Sequence, residues 1–215
     1  MTRSRRKLRR CLLAVGCLFL LGGCGTVSLE PVLVREPRPE EIPVVIGVHY
    51  STEFRTLVYR KTTGQRTLSA FAVGAASVRV FDEALSLLFK GAVQVPDRVP
   101  PAGRQSAVAG VIEPTITAVS YWVPQGGVSV NPVRARAEIT YTLTLYSPQG
   151  LRLADWEVRG DGVDVADGAG VEISGAGSAV ARSLEMAMRE AAWNLVTHFR
   201  DAPGVPAWLA GQGVH

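Results

Sequence analysis

Cysteine is scarce in this 215-residue chain, and all three cysteines lie within the first 24 residues. The chain after Cys24 therefore cannot form an internal disulfide, so its fold must be stabilised by a hydrophobic core. Hydrophobic residues make up 47% of the sequence, which is typical of a globular domain rather than of a disordered segment. A chain of this length is sufficient for one domain with a substantial core.

Histidine is equally scarce, with His49, His198 and the terminal His215 as its three copies. His49 lies among apolar residues, and His198 lies near the predicted end of a helix, where the helix dipole favours a cation. We interpret both as structural. The sequence also lacks a G-x-S-x-G motif or a comparable nucleophile motif. We therefore predict a protein that is not an enzyme and that uses no cofactor.

Metal-binding patterns are weak. The stretch 161–168 contains Asp161, Asp164 and Asp167, and spaced carboxylates of this kind can bind Ca²⁺. Their spacing departs from that of an EF-hand, and a closing glutamate is missing at the right place. We interpret the stretch as a solvated turn and predict no metal site. The glycines of 168–177 match neither the dinucleotide fingerprint nor the P-loop, which requires a lysine.

The amino-terminal residues have a pattern of their own. Six basic residues precede an unbroken apolar run from Cys11 to Leu21, which is followed by Gly22, Gly23 and Cys24. A basic region, an apolar region and small residues before a cleavage site are typical of an export signal. The apolar run is too short for a transmembrane helix, which needs about 20 residues to cross a bilayer.

The run Leu21-Gly22-Gly23-Cys24 resembles the lipobox of bacterial lipoproteins. The resemblance implies that residues 1–23 are a signal peptide and that Cys24 receives diacylglycerol. It also implies that the new amino terminus is acylated, for example with palmitate. Several acyl chains make a stable membrane anchor, whereas one chain binds only marginally. The alternative is an ordinary secretory signal with a chance cysteine.

The charge balance changes when the leader is removed. The whole chain has 23 basic and 19 acidic residues, but the six basic residues of the leader are lost on processing. The mature chain is then slightly acidic, and no Lys/Arg-dense stripe with interleaved aromatic residues follows Cys24. We therefore predict that it does not bind nucleic acid.

The next segment, residues 24–43, contains four prolines among charged residues. This composition favours an extended, solvated tether. An edge strand through Val32 to Val34 is the alternative. We predict a single periplasmic domain over residues 44–210 and a flexible carboxyl terminus over 211–215.

Apolar periodicity predicts two amphipathic helices in this domain, over 78–92 and from Ser178 to Phe199. Strict alternation from Arg134 to Leu145 predicts a strand with one buried face, followed by a type I turn at 147–150. The strands predicted before it are 44–50 and 54–60, for which a hairpin is one arrangement, and 107–123 with a bend at Pro114. The strand predicted after the turn is 151–160, and 161–177 is predicted to be irregular. The order predicts an α+β two-layer sandwich: a mainly antiparallel sheet with two amphipathic helices on one face.

Two pairs of residues are candidates for binding a partner. Tyr121 and Trp122 precede a glycine-rich turn, where exposed aromatic side chains can insert into a partner. Arg134 and Arg136 lie on the polar face of the next strand and can contact lipid phosphates. The alternatives are a core aromatic pair at 121–122 and a solvated face that the arginines share with Glu138.

The leader, the lipobox, the proline-rich segment and the order of elements together resemble small outer-membrane lipoproteins of proteobacteria. The YajG-like and lipopolysaccharide-assembly groups are the most similar in layout. The resemblance implies location at the outer membrane of a Gram-negative envelope, facing the periplasm, because Gly25 rather than aspartate follows Cys24.

The resulting hypothesis is a module that binds an envelope protein complex or a glycolipid. One alternative is an auxiliary lipoprotein of an envelope lipid transporter, whose tether would cross much of the periplasm. A lower-ranked alternative is an enzyme that processes envelope polymers and uses His49 or His198.

Overall fold

The computed structural model describes residues 26–32, 39–63, 66–122, 133–166 and 173–214. Several predicted features lie outside the described residues: the signal peptide with Leu21, Gly22 and Gly23, the lipidation site Cys24, Leu33 and Val34, the turn at 125–132, Asp167, and His215. No helix in the described part of the chain combines the length and the hydropathy needed to cross a membrane.

A five-stranded sheet forms one layer of the domain. Its strands are β1 (Ile42–Val48), β4 (Phe89–Gln94), β5 (Val111–Trp122), β6 (Val133–Tyr146) and β7 (Arg152–Ala166). Their order across the sheet is β4-β1-β5-β6-β7. The three long strands β5, β6 and β7 pair antiparallel, whereas the short strand β1 pairs parallel with both β4 and β5.

Helices cover one face of this sheet. The helices are α1 (Thr52–Thr56), α2 (Val73–Leu88), α3 (Ala102–Gln105), α4 (Ile173–His198) and α5 (Val205–Gly211), and Phe199–Asp201 forms a 3₁₀ turn after α4. The long helices α2 and α4 bury their apolar sides against the sheet in one continuous core. The predicted α+β two-layer sandwich is confirmed.

Strand β6 is the strand that the alternation of apolar and polar residues predicts. Its inward side chains from Ala135 to Leu145 are buried, and in β7 the facing side chains of Trp156 and Val158 are buried too. The turn between these strands follows its predicted chemistry, since the Gly150 amide donates to the Ser147 carbonyl at 2.9 Å. Gly150 has a φ of 85°, which a residue with a side chain rarely adopts.

The bend predicted at Pro114 also corresponds to a feature of the sheet. Strand β1 pairs with β5 at Val111 and Ile112, so Pro114 lies where β5 has become an edge strand. A register shift follows between Ile116 and Ala118. Proline lacks a backbone donor, so an edge position with a nearby bulge is where a strand tolerates it.

The hairpin predicted from 44–50 and 54–60 is wrong. After β1 the chain forms helix α1, because the Ser51 hydroxyl accepts a hydrogen bond from the Phe54 amide at 3.1 Å and caps the helix. Phe54 is buried, so its apolar character reflects a helix face and not a strand. A different hairpin follows, formed by β2 (Tyr59–Thr63) and β3 (Arg66–Phe71).

Three predicted boundaries also differ. Helix α2 begins at Val73 rather than at Val78 and ends at Leu88, because β4 follows immediately. Helix α4 begins at Ile173, before the predicted cap at Ser178. Strand β7 continues to Ala166, so the first residues of the predicted irregular stretch are in the sheet.

The amino-terminal segment docks on the domain. The Val27 amide donates to the Ala70 carbonyl at 2.8 Å, and the Ala72 amide donates to the Val27 carbonyl at 3.0 Å. Leu29 is fully buried, and the Arg79 guanidinium donates to its carbonyl. The tether predicted for 24–43 is therefore not free at Val27 and Leu29, which contact the domain.

Candidate functional site

The end of the sheet at which β5 and β7 finish and β6 begins presents an unusual row of side chains. Trp122 lies opposite Arg136, and Arg136 lies opposite Val163. Residues that are directly opposite in antiparallel strands share a face, so these three side chains are neighbours. Trp122 is 60% exposed and Val163 is 45% exposed, both on the sheet face that α2 and α4 do not cover.

These side chains form one wall of an open groove of about 530 Å³. The next row, Ser120 and Glu138, lines the groove as well. We call this face, formed by Trp122, Arg136 and Val163, the Trp122 surface. It combines a large aromatic side chain, a cation and an aliphatic side chain.

Arg136 is the charged group of this surface. One guanidinium nitrogen of Arg136 donates to Asp161 Oδ1 at 2.8 Å, and both side chains are well exposed. The hydrogen bond and the negative charge of Asp161 raise the pKa of Arg136, so the side chain remains a cation. Exposed ion pairs contribute little to stability because water competes for both partners. An anionic ligand can therefore take the place of Asp161 at Arg136.

Tyr121 points to the other side of the strand. Its ring packs edge-on against Tyr59 and Phe71, with both centroid distances at 5.9 Å. Two of the predicted binding residues therefore lie on opposite faces of the strand. Tyr121 packs against the core, and Trp122 is exposed. Arg134 occupies the register position opposite Val165 in the same strand pair as Arg136.

Val163 is a residue of this surface that the sequence analysis missed. Strand β7 was predicted to end at Gly160, so Val163 was assigned to an irregular segment. If the alternation of Trp156 and Val158 is continued along β7, position 163 falls on the same open face as Arg136. The pairing of Val163 with Arg136 also depends on a register shift beside the turn, between Leu145 and Tyr146.

The amino-terminal segment reaches the same end of the domain. Val27 bridges to Phe71, and the Phe71 ring packs against Tyr121, the residue before Trp122. Only two residues lie between Cys24 and Val27. At about 3.3 Å per residue, Cys24 is held within roughly 10 Å of Val27.

The carboxylates of the weak calcium pattern do not converge. Asp161 pairs with Arg136 on the open face of the sheet, whereas Asp164 accepts a hydrogen bond from Arg182 Nε of α4 at 2.6 Å. Residues at odd and even positions of a strand point to opposite faces, so these two carboxylates cannot bind one ion. The interpretation of 161–166 as a solvated turn is wrong, because these residues belong to β7. Among the described residues, no group of three or more His, Cys, Asp or Glu side chains could hold a metal.

The two internal histidines lie in separate parts of the fold. His49 follows β1, and its Nδ1 lies 3.4 Å from the Val95 carbonyl oxygen. His198 is exposed at the end of α4, where it lines a second groove of about 410 Å³ with Asn194 and Asp201. The two histidines therefore do not form a shared site.

Comparison with known proteins gives only distant likenesses. No family model matches the chain. No curated protein matches its sequence. Among solved structures, the chain is similar to a Xanthomonas campestris protein of the family DUF330, at 12% identity and a TM-score of 0.48, over 88% of this chain and 98% of that one.

Two further solved structures are similar. One is a candidate lipoprotein from Caulobacter crescentus, at 15% identity and a TM-score of 0.40, over 76% of this chain and 91% of that one. The other is a minor lipoprotein from Acinetobacter baumannii, at 8% identity and a TM-score of 0.41, over 74% of this chain and 92% of that one.

Proposed function

We propose that the protein is an outer-membrane lipoprotein, anchored through Cys24, whose periplasm-facing domain binds an envelope component through the Trp122 surface. The component is an envelope protein complex or a glycolipid, and the role is binding rather than catalysis. The observation that carries this proposal is the exposed Trp122 beside Arg136, at the end of the domain where Val27 docks.

The side chains of this surface are of the types that contribute most to binding. Tryptophan and arginine are enriched among the residues that dominate binding energies. An exposed tryptophan that buries about 150 Å² gains roughly 4 kcal/mol before the costs of association are subtracted, at about 25 cal/mol per Å². Arg136 adds a planar donor that can form two hydrogen bonds to a carboxylate or a phosphate.

The anchor raises the effective concentration of the domain near a membrane partner, so a modest interface is sufficient. The link between lipid and domain is short, because Val27 is paired with the hairpin and Leu29 is buried. A short link favours a component in the same membrane. The alternative of an auxiliary lipoprotein that bridges the periplasm would require a long free tether, which this docking does not favour.

The anchor is tested by Cys24→Ala in cells that are supplied with labelled palmitate. The unchanged chain should incorporate the label and fractionate with membranes, whereas Cys24→Ala should accumulate as an uncleaved or soluble form without label. Processing and fractionation that do not change in the variant would contradict the lipoprotein hypothesis.

The binding surface is tested by placing a photo-crosslinking amino acid at position 122 and, as a control, at position 151. Leu151 is 67% exposed but lies beside the turn at the opposite end of β6 and β7, so neither replacement disturbs the core. We expect a discrete adduct from position 122 and none from position 151. Equal adduct patterns, or no adduct at 122, would exclude the Trp122 surface as the binding site.

A further inference from the structure

We infer that the Trp122 surface contacts the anionic phospholipid headgroups of the same membrane that holds Cys24, so that the domain stands end-on with Trp122 at the interface. This inference rests on the proposed lipidation of Cys24. It assigns the Trp122 surface to the phospholipid of the anchoring membrane, in place of the protein complex or glycolipid proposed above. Distance, shape, charge and the chemistry of tryptophan each support it.

The first step is distance. Cys24 cannot lie more than roughly 10 Å from Val27, and Val27 is fixed on β3 by two backbone hydrogen bonds of 2.8 and 3.0 Å. Phe71 of β3 packs against Tyr121, which directly precedes Trp122. An acylated Cys24 therefore brings this end of the domain to the membrane surface.

The second step is shape. Strand β6 has 14 residues and runs from Val133, at the Trp122 end, to Tyr146 at the other end. At about 3.3 Å per residue it is roughly 45 Å long. The turn at 147–150 and helix α5 are therefore far from the anchor, and the Trp122 end is the part of the domain that the lipid holds against the bilayer.

The third step is charge. The hairpin segment 59–71 contains Arg60, Lys61 and Arg66 without any acidic residue, and β6 begins with Arg134 and Arg136. The acidic neighbours Asp161 and Glu138 are each paired with an arginine, Asp161 with Arg136 and Glu138 with Arg159. Arg60 and Arg136 are exposed. The residues that close the hairpin, Tyr59 and Phe71, pack against Tyr121, and β6 begins beside Trp122, so these basic residues belong to the end that carries Val27. Basic residues close to a bilayer are attracted to anionic lipids, so this end has the charge that such a surface requires.

The fourth step is the chemistry of tryptophan. Its ring is apolar and its indole N–H is a donor, so tryptophan is enriched where hydrocarbon meets water at membranes. Trp122 is exposed at the tip of β5, whereas Trp156 and Trp208 are buried in the core. The exposed tryptophan thus lies at the end of the domain that the anchor brings to the lipid.

The test uses the full acylated protein in vesicles of phosphatidylethanolamine and phosphatidylglycerol, with part of the lipid carrying bromine on its acyl chains. Bromine quenches tryptophan only at close range. We expect quenching of the unchanged protein and loss of most of it in Trp122→Phe. The matched control is Trp193→Phe, on the half-buried face of α4, which should leave the quenching unchanged.

Two outcomes distinguish failure of the proposed anchor from failure of this inference. Mass spectrometry that finds no acyl group on Cys24 overturns the proposed anchor and this inference with it. An acylated protein that floats with the vesicles but is quenched equally with and without Trp122 overturns this inference alone. Replacement of the anionic lipid by phosphatidylcholine, and Arg136→Gln, should each reduce the quenching at least twofold, and no change in either would also contradict it.

Discussion

Gly162 lies directly against the Ser183 carbonyl, so that a Cβ at position 162 would be 1.9 Å from that oxygen. Gly160 has the same relation to Ala187, also with 1.9 Å between its Cβ position and the carbonyl oxygen. Both glycines face inward from β7. They allow helix α4 to approach the sheet until the two backbones touch, which positions the helix layer over the core.

Replacement of Gly162 by alanine should therefore destabilise the protein by about 3 kcal/mol or more, because the helix must move to accommodate the methyl group. Urea denaturation followed by circular dichroism measures this change. Gly211→Ala is the control, since its Cβ would meet no atom within 4 Å. Equal urea midpoints for Gly162→Ala and the unchanged protein would contradict the close approach.

These glycines also show where local sequence patterns mislead. Gly160 and Gly162 marked the end of the predicted strand, since glycine is usually unfavourable in strands. Glycine is required at both positions because the backbone of α4 contacts β7 there. Helix α4 is distant along the chain, so a local sequence pattern cannot predict this contact. Strand β6 was predicted well because its alternation has a local cause, one buried and one solvated face.

The amino-terminal segment gives a second prediction. Leu29 is fully buried in the helix layer, whereas Val32 of the same segment is exposed. Leu29→Ala should reduce the free energy of unfolding by about 2–4 kcal/mol, since it leaves a cavity. Val32→Ala should change it by less than about 0.5 kcal/mol.

Hydrogen exchange provides the spatial readout for this pair. The amides of Val27 and Ala72, which form the backbone bonds of the docked segment, should exchange faster in Leu29→Ala. If both variants have the stability of the unchanged protein, the segment is a free tether, as its prolines and charges predict.

The docking of Leu29 illustrates a limit of composition as a guide. Prolines and charges in 24–43 favour an extended chain, and an extended chain can still lie in a crevice between two helices. The buried leucine is one residue in a polar stretch, and it has no periodicity that would predict its partners.

The parallel pairing of β1 with β4 and β5 was missed for a related reason, since short strands carry no local signal of which strand they join.

The ion pair between Arg98 and Glu113 gives a third prediction. Glu113 is 6% exposed and accepts hydrogen bonds from Arg98 Nε at 2.5 Å and Nη2 at 3.0 Å. The hydrogen bond to Glu113 raises the pKa of Arg98. Arg98→Ala should destabilise the protein by about 1–3 kcal/mol, because the buried carboxylate loses both donors.

The control for this variant is Arg152→Ala. Arg152 pairs with Asp155, but both side chains are exposed, so the loss should be below about 1 kcal/mol. The double variant Arg98→Ala with Glu113→Gln should recover part of the stability, since it removes the buried charge. No recovery would indicate that Arg98 acts mainly through its contact with the Tyr146 ring, at 5.6 Å.

The fully buried Tyr141 makes stability depend on alkaline pH. Its hydroxyl lies 2.8 Å from Ser77 Oγ, and Ser77 uses its own proton on the Val73 carbonyl, so Tyr141 is the donor and must be protonated. Burial raises the pKa of Tyr141 well above the value of about 10 that tyrosine has in an unfolded chain. Above pH 10 the unfolded chain loses this proton and the folded protein keeps it. The free energy of unfolding should then fall by about 1.4 kcal/mol per pH unit for this group, whose contribution is fully present below pH 10.

Replacement of Tyr141 by phenylalanine should make this alkaline decline shallower by that amount, at a cost of about 1 kcal/mol at pH 7 for the lost hydrogen bond. Urea midpoints between pH 8 and pH 11 measure both effects. Phe71→Leu, which weakens the core without removing a titratable group, should keep the steeper decline of the unchanged protein. If Tyr141→Phe and Phe71→Leu decline in parallel, Tyr141 is not the group that loses its proton on unfolding.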